Sequence, residues 1–239
     1  MMEHDRGLMQ RSVELAKSGR VIEAEELIES ALRADPDDGE LWRVAGFFRH
    51  RVGNFEGARD AFETAGLLVP LDHPSRRVLA ECFARTGFDE LASDGYRCLA
   101  LDPTCPSDLL PSVAAGLGQL GEFGPALGAC LELVRREPGL PEAHFGVAYY
   151  LRRLGRAPEV VLPIVARAYE LAPEVPLYRV SLATLLDHVG RREEACELIR
   201  DLDLESISCR GCLRRMATIF QAGGDADRGG ICQSRSQPG

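Results

Sequence analysis

Two thiols near the carboxyl end have a spacing that could support metal or redox chemistry. Cys209 and Cys212 form a C-x-x-C pair, and Cys196 and Cys232 lie within reach along the sequence. Four thiolates around one ion would make a tetrahedral zinc site. However, the sequence has no second C-x-x-C pair and no βαβ context typical of a thioredoxin-like redox motif. These cysteines are candidate metal or redox residues, and packing or helix capping is the alternative.

No other arrangement of side chains predicts catalysis. The sequence lacks a G-x-x-x-x-G-K phosphate loop, a G-x-S-x-G nucleophile turn and an H-E-x-x-H metal pair. The histidines are scattered along the chain, at His4, His50, His73, His144 and His188. We therefore expect a protein that is not an enzyme and needs no cofactor or metal.

The other cysteines and the amino-terminal segment indicate a reducing compartment. Met1 to Arg11 has no apolar stretch typical of a secretory signal, so we expect a cytoplasmic protein with reduced thiols. The helical spacing around Cys82, Cys98 and Cys130 predicts core or near-core thiols. Cys105 lies between two prolines and is expected to be exposed.

The charge balance and the lack of long apolar stretches argue against two classes of partner. The 239 residues include 37 acidic and 28 basic side chains, for a formal charge of −9. A field of that sign repels phosphate backbones, so a nucleic acid is not expected. No apolar stretch is long enough to span a bilayer, so a membrane partner is not expected either.

Lys17 is the only lysine, which leaves arginine as the main basic residue.

Glycines recur at a nearly constant interval that must reflect a structural repeat. The interval is 34 residues, except for one step of 35, and it relates Gly19, Gly53, Gly87, Gly121, Gly155, Gly190 and Gly224. Prolines follow at nearly the same interval, at Pro36, Pro70, Pro103, Pro138 and Pro173. Glycine past a helix end takes the left-handed conformation without a Cβ penalty, and proline ends the next helix. Each repeat is therefore predicted to be a helical hairpin.

Small residues flank each glycine at fixed distances and predict close helix packing. Five residues beyond each of the first six glycines come Ala24, Ala58, Ala92, Ala126, Val160 and Ala195. Seven residues before each glycine, from the second onward, come Gly46, Ala80, Ala114, Ala148, Ala183 and Ala217. Small side chains at both places let the paired helices approach closely, and larger residues fill the remaining space.

The second repeat carries a family pattern. Trp42-x-x-Ala45-Gly46, followed by Ala58-x-x-x-Phe62 and Pro70, resembles the tetratricopeptide repeat. The resemblance covers about residues 5 to 224. It implies an all-α fold, a right-handed α-solenoid of tetratricopeptide-like helical hairpins, and a role in binding proteins. Arg49 departs from the pattern, because the family prefers an aromatic residue there.

The repeat divides the chain without leaving room for a separate domain. We predict a single solenoid over residues 1–239, with six full repeats that start near residues 5, 39, 73, 107, 141 and 176. A partial seventh repeat covers 210–232, and a disordered tail covers 233–239.

Three local features should perturb this regular pattern. Pro163 should kink the second helix of the fifth repeat or delay its start. The pair Gly229-Gly230 makes the last helix doubtful, because each glycine costs about 1 kcal/mol in helix propensity. His144 occupies the tryptophan position of its repeat and is expected to pack there.

In proteins of this kind, one stripe of each first helix lines the concave surface and contacts ligands. Its counterpart in the first three repeats has six basic residues against Glu40 and Glu81, which is a net charge of +4. The basic residues are Arg6, Lys17, Arg43, Arg51, Arg77 and Arg85. The predicted partner-binding groove consists of Arg43, Phe47, His50, Arg51, Arg77, Glu81, Arg85, Phe145, Tyr149 and Arg152.

This groove predicts a non-catalytic scaffold or adaptor that binds an acidic peptide or protein surface. One alternative is that an arginine-rich chain collects arginines on any solvated face. Another is a metal-binding or redox-sensing repeat protein that uses the carboxyl-terminal cysteines. The sequence predicts neither the identity of the partner nor the oligomeric state.

Overall fold

The computed structural model describes residues 3–237, and over this range the secondary structure is helical, without strands. The helices group into two compact units, Met1–Ala126 and Leu127–Gly239. Within the same range, no helix combines the length and the apolar character needed to cross a bilayer. The expected all-α class is confirmed.

The first unit is a series of antiparallel helix pairs. Its helices are α1 (Glu3–Lys17), α2 (Val21–Ala34), α3 (Gly39–Arg51), α4 (Phe55–Leu68), α5 (His73–Arg85), α6 (Asp89–Leu101) and α7 (Leu110–Gln119). A short 3-10 turn, Ser107–Leu109, precedes α7, and α8 (Phe123–Arg136) contains the boundary between the units.

The second unit continues the alternation of first and second helices. Its helices after α8 are α9 (Pro141–Arg153), α10 (Pro158–Leu171), α11 (Pro176–His188), α12 (Arg192–Ile199), α13 (Arg210–Ala222) and α14 (Ala226–Ser236). A 3-10 turn, Leu204–Ser206, separates α12 from α13.

The seven repeating glycines form one kind of turn. All have φ between +72° and +85°, and no other residue type has positive φ in the part of the chain that is described. The residue after each glycine donates its backbone N–H to the carbonyl five residues earlier, at 2.8–3.0 Å. This left-handed cap satisfies carbonyl groups at the helix end and reverses the chain into the second helix. The glycine interval therefore has the predicted cause.

The small residues seven places before the glycines lie where helices touch. Gly46, Ala80, Ala114, Ala148, Ala183 and Ala217 are all buried. At Gly46 an added Cβ would lie 2.8 Å from the ring of Phe62. Phe62 itself is fully buried. The predicted complementarity of small and large residues is confirmed at this pair.

The fifth repeat departs from the predicted register by one residue. Val160 is 53% exposed, and Val161 occupies the buried position that the sequence pattern predicted for Val160. The cause is that α10 begins at Pro158, three residues after Gly155, whereas α4 begins two residues after its glycine. Proline favours the first helical position, because its missing N–H is not needed there. This extra residue also accounts for the single step of 35 residues.

Two helices extend over residues where the sequence predicted a delayed start or a disordered tail. Helix α10 begins at Pro158 and contains Pro163, so Pro163 does not delay its start. Helix α14 continues through Ser236 and so includes the first part of the predicted disordered tail. The reason is packing, since Cys232 is fully buried and a Cβ on Gly229 would come within 2.7 Å of Gln221. The last two tail residues lie outside the described range.

The remaining cysteines divide differently from the prediction. Cys82 and Cys130 are buried, as expected for core thiols. Cys98, in α6, is exposed. Cys105 is buried, at 1% exposure, which corrects the expectation of an exposed thiol. Burial raises the pKa of Cys82 and Cys130 to about 12, so both thiols stay protonated at neutral pH.

His144 reproduces a contact that Trp42 makes in its own repeat. Trp42 donates its indole N–H to the carbonyl of Pro36 at 2.8 Å. His144 places Nε2 at 2.9 Å from the carbonyl of Pro138, also six residues earlier. Both rings thus tie a first helix to the proline turn before it.

We expect His144→Phe to lower the free energy of unfolding by about 0.5–1.5 kcal/mol, because the ring stays but the donor is lost. His144→Trp should stay close to the parent, since the indole restores the donor. Urea titration followed by circular dichroism measures both variants. Equal losses in the two would contradict the hydrogen bond as the cause.

Candidate functional site

Helices α3 and α5 bring part of the predicted groove together in the first unit. Nε2 of His50 lies 3.2 Å from Oε2 of Glu81. Nε of Arg43 donates to Oγ of Ser75 at 3.2 Å. The equivalent first helices of consecutive repeats therefore lie side by side, and the residues on their shared face contact one another.

The charge of Arg43 is neutralised within the protein. Its guanidinium donates to both oxygens of Glu40 at 2.9 Å and also pairs with Asp72. The side chain is only 18% exposed. Asp72 also caps α5 by accepting the N–H of Ser75 at 2.9 Å. Arg43 is therefore a link between α3 and α5, and offers little free charge to a partner.

Arg77 is also paired on this face. Its Nη1 donates to Oε2 of Glu81 at 3.0 Å, one helical turn along α5. Because Nε2 of His50 lies 3.2 Å away on the other side, this carboxylate lies between the Arg77 and His50 side chains. The predicted surplus of positive charge is thus reduced at the centre of the face.

Three basic residues along one edge of the first unit have exposed side chains. Lys17, Arg51 and Arg85 are the last residues of α1, α3 and α5, and all three are exposed. Over residues 3–237, none of the three forms an ion pair. Arg85 lies over the ring of Phe55 at 4.6 Å. The negative end of each helix dipole favours a cation at this place. We call these three residues the basic edge.

The predicted aromatic anchors differ in exposure. Phe47 is half-buried and meets Phe62 edge-on, with ring centroids 5.1 Å apart. In the second unit, Phe145 packs against Tyr178 at 5.0 Å, so it also contributes to a core. Tyr149 is 47% exposed. Arg152 is exposed too.

Arg49, which replaces the aromatic residue of the family pattern, forms contacts that the sequence did not predict. It is 14% exposed and donates to Oε1 of Glu25 at 2.7 Å. Its Nη1 donates to the carbonyl of Gly57 at 3.5 Å. Arg49 therefore joins α2, α3 and the first turn of α4. Glu25 is partly buried, although its acidic helix α2 has the composition of a solvated face.

A polar cluster also lies at the start of α5. Nε2 of His73 is 3.0 Å from Oδ2 of Asp102 and 3.3 Å from Oγ1 of Thr104. Hydrogen bonds from Thr104, and then from His73, hold the pKa of Asp102 well below its usual range. Because Thr104 and Asp102 meet the same ring nitrogen, the three groups are not arranged as a nucleophile–base–acid relay. The cluster links the start of α5 to the segment after α6 by hydrogen bonds.

The four candidate cysteines of the second unit do not converge. Cys196 donates to the carbonyl of Ile219 at 3.6 Å, and Cys232 is fully buried. At the start of α13, the backbone N–H of Cys212 donates to Sγ of Cys209. Throughout the described part of the chain, no group of three or more histidine, cysteine or acidic residues is placed to hold a metal ion. This geometry does not favour the metal-binding alternative.

Comparison with known proteins identifies the fold through structure. No family model and no curated protein sequence matches the chain. A tetratricopeptide repeat protein from Parabacteroides merdae is similar in structure, with a TM-score of 0.68, 17% identity, and coverage of 98% of this chain and 93% of that chain. The carboxyl-terminal part of a TPR repeat-containing protein from Cytophaga hutchinsonii has a TM-score of 0.71, 13% identity, and coverage of 95% and 93%.

A structure of Naa15/Naa10 bound to HypK-THB is also similar. Its TM-score is 0.57 at 12% identity, and the match covers 97% of this chain and 36% of that chain. These likenesses agree with the glycine turns and with the buried pairs of small and large residues described above. The chain has the fold of tetratricopeptide repeat proteins.

Proposed function

We propose that this chain is a non-catalytic scaffold or adaptor of the cytoplasm whose first unit binds an acidic, extended segment of another protein. The basic edge carries this proposal, because its three cations are exposed and free of ion pairs along residues 3–237. The fold supports a protein partner in general, since a similar structure contains Naa15/Naa10 bound to HypK-THB.

The paired residues of the face have a different role in this proposal. Arg43 links α3 to the start of α5 through Asp72, whereas Arg77 is neutralised by Glu81 within α5. The basic edge then presents positive charge at one end of this face. A chain with a formal charge of −9 repels acidic partners elsewhere, so the edge concentrates the attraction in one place.

The spacing of the edge limits the length of the bound segment. Packed helices lie about 8–10 Å apart, so three consecutive first helices cover about 20 Å. An extended chain rises about 3.3 Å per residue and crosses that distance with about six residues. Carboxylates spaced two or three residues apart would meet successive cations. Phe55, beneath Arg85, supplies an apolar contact at the same end.

The test uses a peptide library displayed on phage and selected on the purified chain. We expect the selected peptides to be rich in Asp and Glu, and we expect Arg51→Glu combined with Arg85→Glu to weaken a selected peptide about 5- to 30-fold. Each reversal removes an exposed attraction of about 0–1 kcal/mol and adds a repulsion of similar size. Fluorescence anisotropy at about 50 mM and about 300 mM salt should show a flatter salt dependence in the variant.

The matched control reverses two exposed arginines of α13, Arg210→Glu and Arg214→Glu, which changes the net charge equally. This control should bind like the parent. If it weakens binding as much as the basic-edge variant does, only the total charge matters. If the folded basic-edge variant binds like the parent at low salt, the partner docks elsewhere.

A further inference from the structure

Cys209 and Cys212 are differently placed at the start of α13. Cys209 is exposed and occupies the residue before the helix, with φ −72° and ψ 104°. Its Sγ accepts the backbone N–H of Cys212 at 3.4 Å. Cys212 is 1% exposed and packs into the core of the second unit. An accessible thiol therefore lies within hydrogen-bond distance of the backbone of a residue whose own thiol is buried.

The surroundings of this pair favour a thiolate at the exposed position. Hydrogen bonds from the thiol and the backbone of Cys212 lower the pKa of Cys209. Burial raises the pKa of Cys212, which keeps that thiol protonated. Nη2 of Arg215 donates to Sγ of Cys212 at 3.4 Å, and Nε of the same guanidinium is buried without a hydrogen-bond partner. A partly buried cation whose Nε has no hydrogen-bond partner can stabilise negative charge as it develops on Cys212.

We propose that Cys209 and Cys212 form a redox-sensitive dithiol that a hydroperoxide converts reversibly into a disulfide. This goes beyond the proposed peptide binding, since it uses residues of the second unit alone. The pair needs no metal and no other cysteine.

The reaction balances in two steps. The Cys209 thiolate attacks the terminal oxygen of the hydroperoxide, the O–O bond breaks, and the leaving oxygen takes a proton and departs as water or an alcohol. Cys209 is then a sulfenic acid. Sγ of Cys212 attacks the Cys209 sulfur, forms the S–S bond and expels hydroxide, which takes the Cys212 proton and leaves as water. Two thiols are oxidised, and one hydroperoxide is reduced.

The backbone at Cys209 allows the bond to form. Residues three apart on a helix have Cβ atoms about 5–6 Å apart, whereas a disulfide needs about 3.5–4.5 Å. Because Cys209 precedes the first helical residue, its dihedral angles can change while the helix after it stays intact. The ring closed by the bond is small, so oxidation should change the local structure at the start of α13 more than the global stability.

The experiment treats the reduced chain with a small excess of hydrogen peroxide and follows thiols by titration and peptide mass spectrometry. We expect two of the eight thiols to disappear, the peptide joining Cys209 and Cys212 to lose two hydrogen atoms, and a dithiol reductant to restore both. With Cys212→Ser, the sulfenic acid should persist on Cys209 and be trapped by dimedone.

Cys98 is the matched control within the same molecule, because it is exposed and free. In the untreated parent, iodoacetamide should label Cys209 at least about fivefold faster than Cys98 at neutral pH. This comparison needs no variant and so does not depend on how a substitution folds. Equal labelling of the two residues, or a disulfide that joins Cys209 to any cysteine other than Cys212, would overturn the proposal.

Discussion

Replacing Phe62 by alanine is expected to lower the free energy of unfolding of the first unit by about 3–5 kcal/mol. Phe62 is fully buried in α4 and meets Phe47 of α3 edge-on at 5.1 Å. Gly46 lies so close to the ring that an added Cβ would come within 2.8 Å. Truncation therefore removes the largest group between α3 and α4 and leaves a cavity that the helices cannot fill without moving.

The measurement is a urea titration followed by the fluorescence of Trp42, the only tryptophan, which lies in the first unit. The matched control is Leu67→Ala in the same helix, because Leu67 is 88% exposed. The control should change stability by less than about 0.5 kcal/mol. If both variants lose the same stability, the burial of Phe62 against Gly46 is not the cause of the loss.

The contact between Gly46 and Phe62 was predictable because the same packing of two helices recurs in every repeat. In the sequence, the recurrence of glycine, small residue and proline marks the helix ends and the positions where helices approach closely. The positive φ of all seven repeating glycines confirms this inference. Periodicity succeeds here because the interactions are local or lie between neighbouring repeats.

The net charge of the groove was less predictable. The stripe included Glu40 and Glu81, but Asp72 lies before α5 and outside the helical spacing that defines the stripe. Its pair with Arg43 depends on how α3 and α5 dock, as does the contact between His50 and Glu81. A helical periodicity indicates which side chains share a face, but it does not indicate which charges neutralise one another across two helices.

Individual exceptions to the repeat were the least predictable features. Val161 replaces Val160 in the core because Pro158 shifts the start of one helix. Gly116 lies outside the recurring small positions, yet it is buried against Tyr96. Such pairs reflect the shape of one interface, and a pattern shared by all repeats contains no information about them.

Gly116→Ala should destabilise the first unit, although alanine is the better helix former. An added Cβ would lie 2.3 Å from Cζ of Tyr96, which is far inside van der Waals contact. Tyr96 is 3% exposed, so its ring cannot move into solvent without losing its burial. Overpacking of this kind costs about 1–3 kcal/mol, and the gain in helix propensity offsets only about 0.5–1 kcal/mol of it.

Gly128→Ala provides the matched control, because Gly128 also lies within a helix and nothing lies within 4 Å of its added Cβ. This substitution should stabilise the chain by about 0.5–1 kcal/mol. Urea titrations followed by circular dichroism should therefore move the two variants in opposite directions from the parent. If Gly116→Ala also stabilised the chain, helix propensity would outweigh packing at Tyr96, and the close approach of α6 and α7 would not require a glycine.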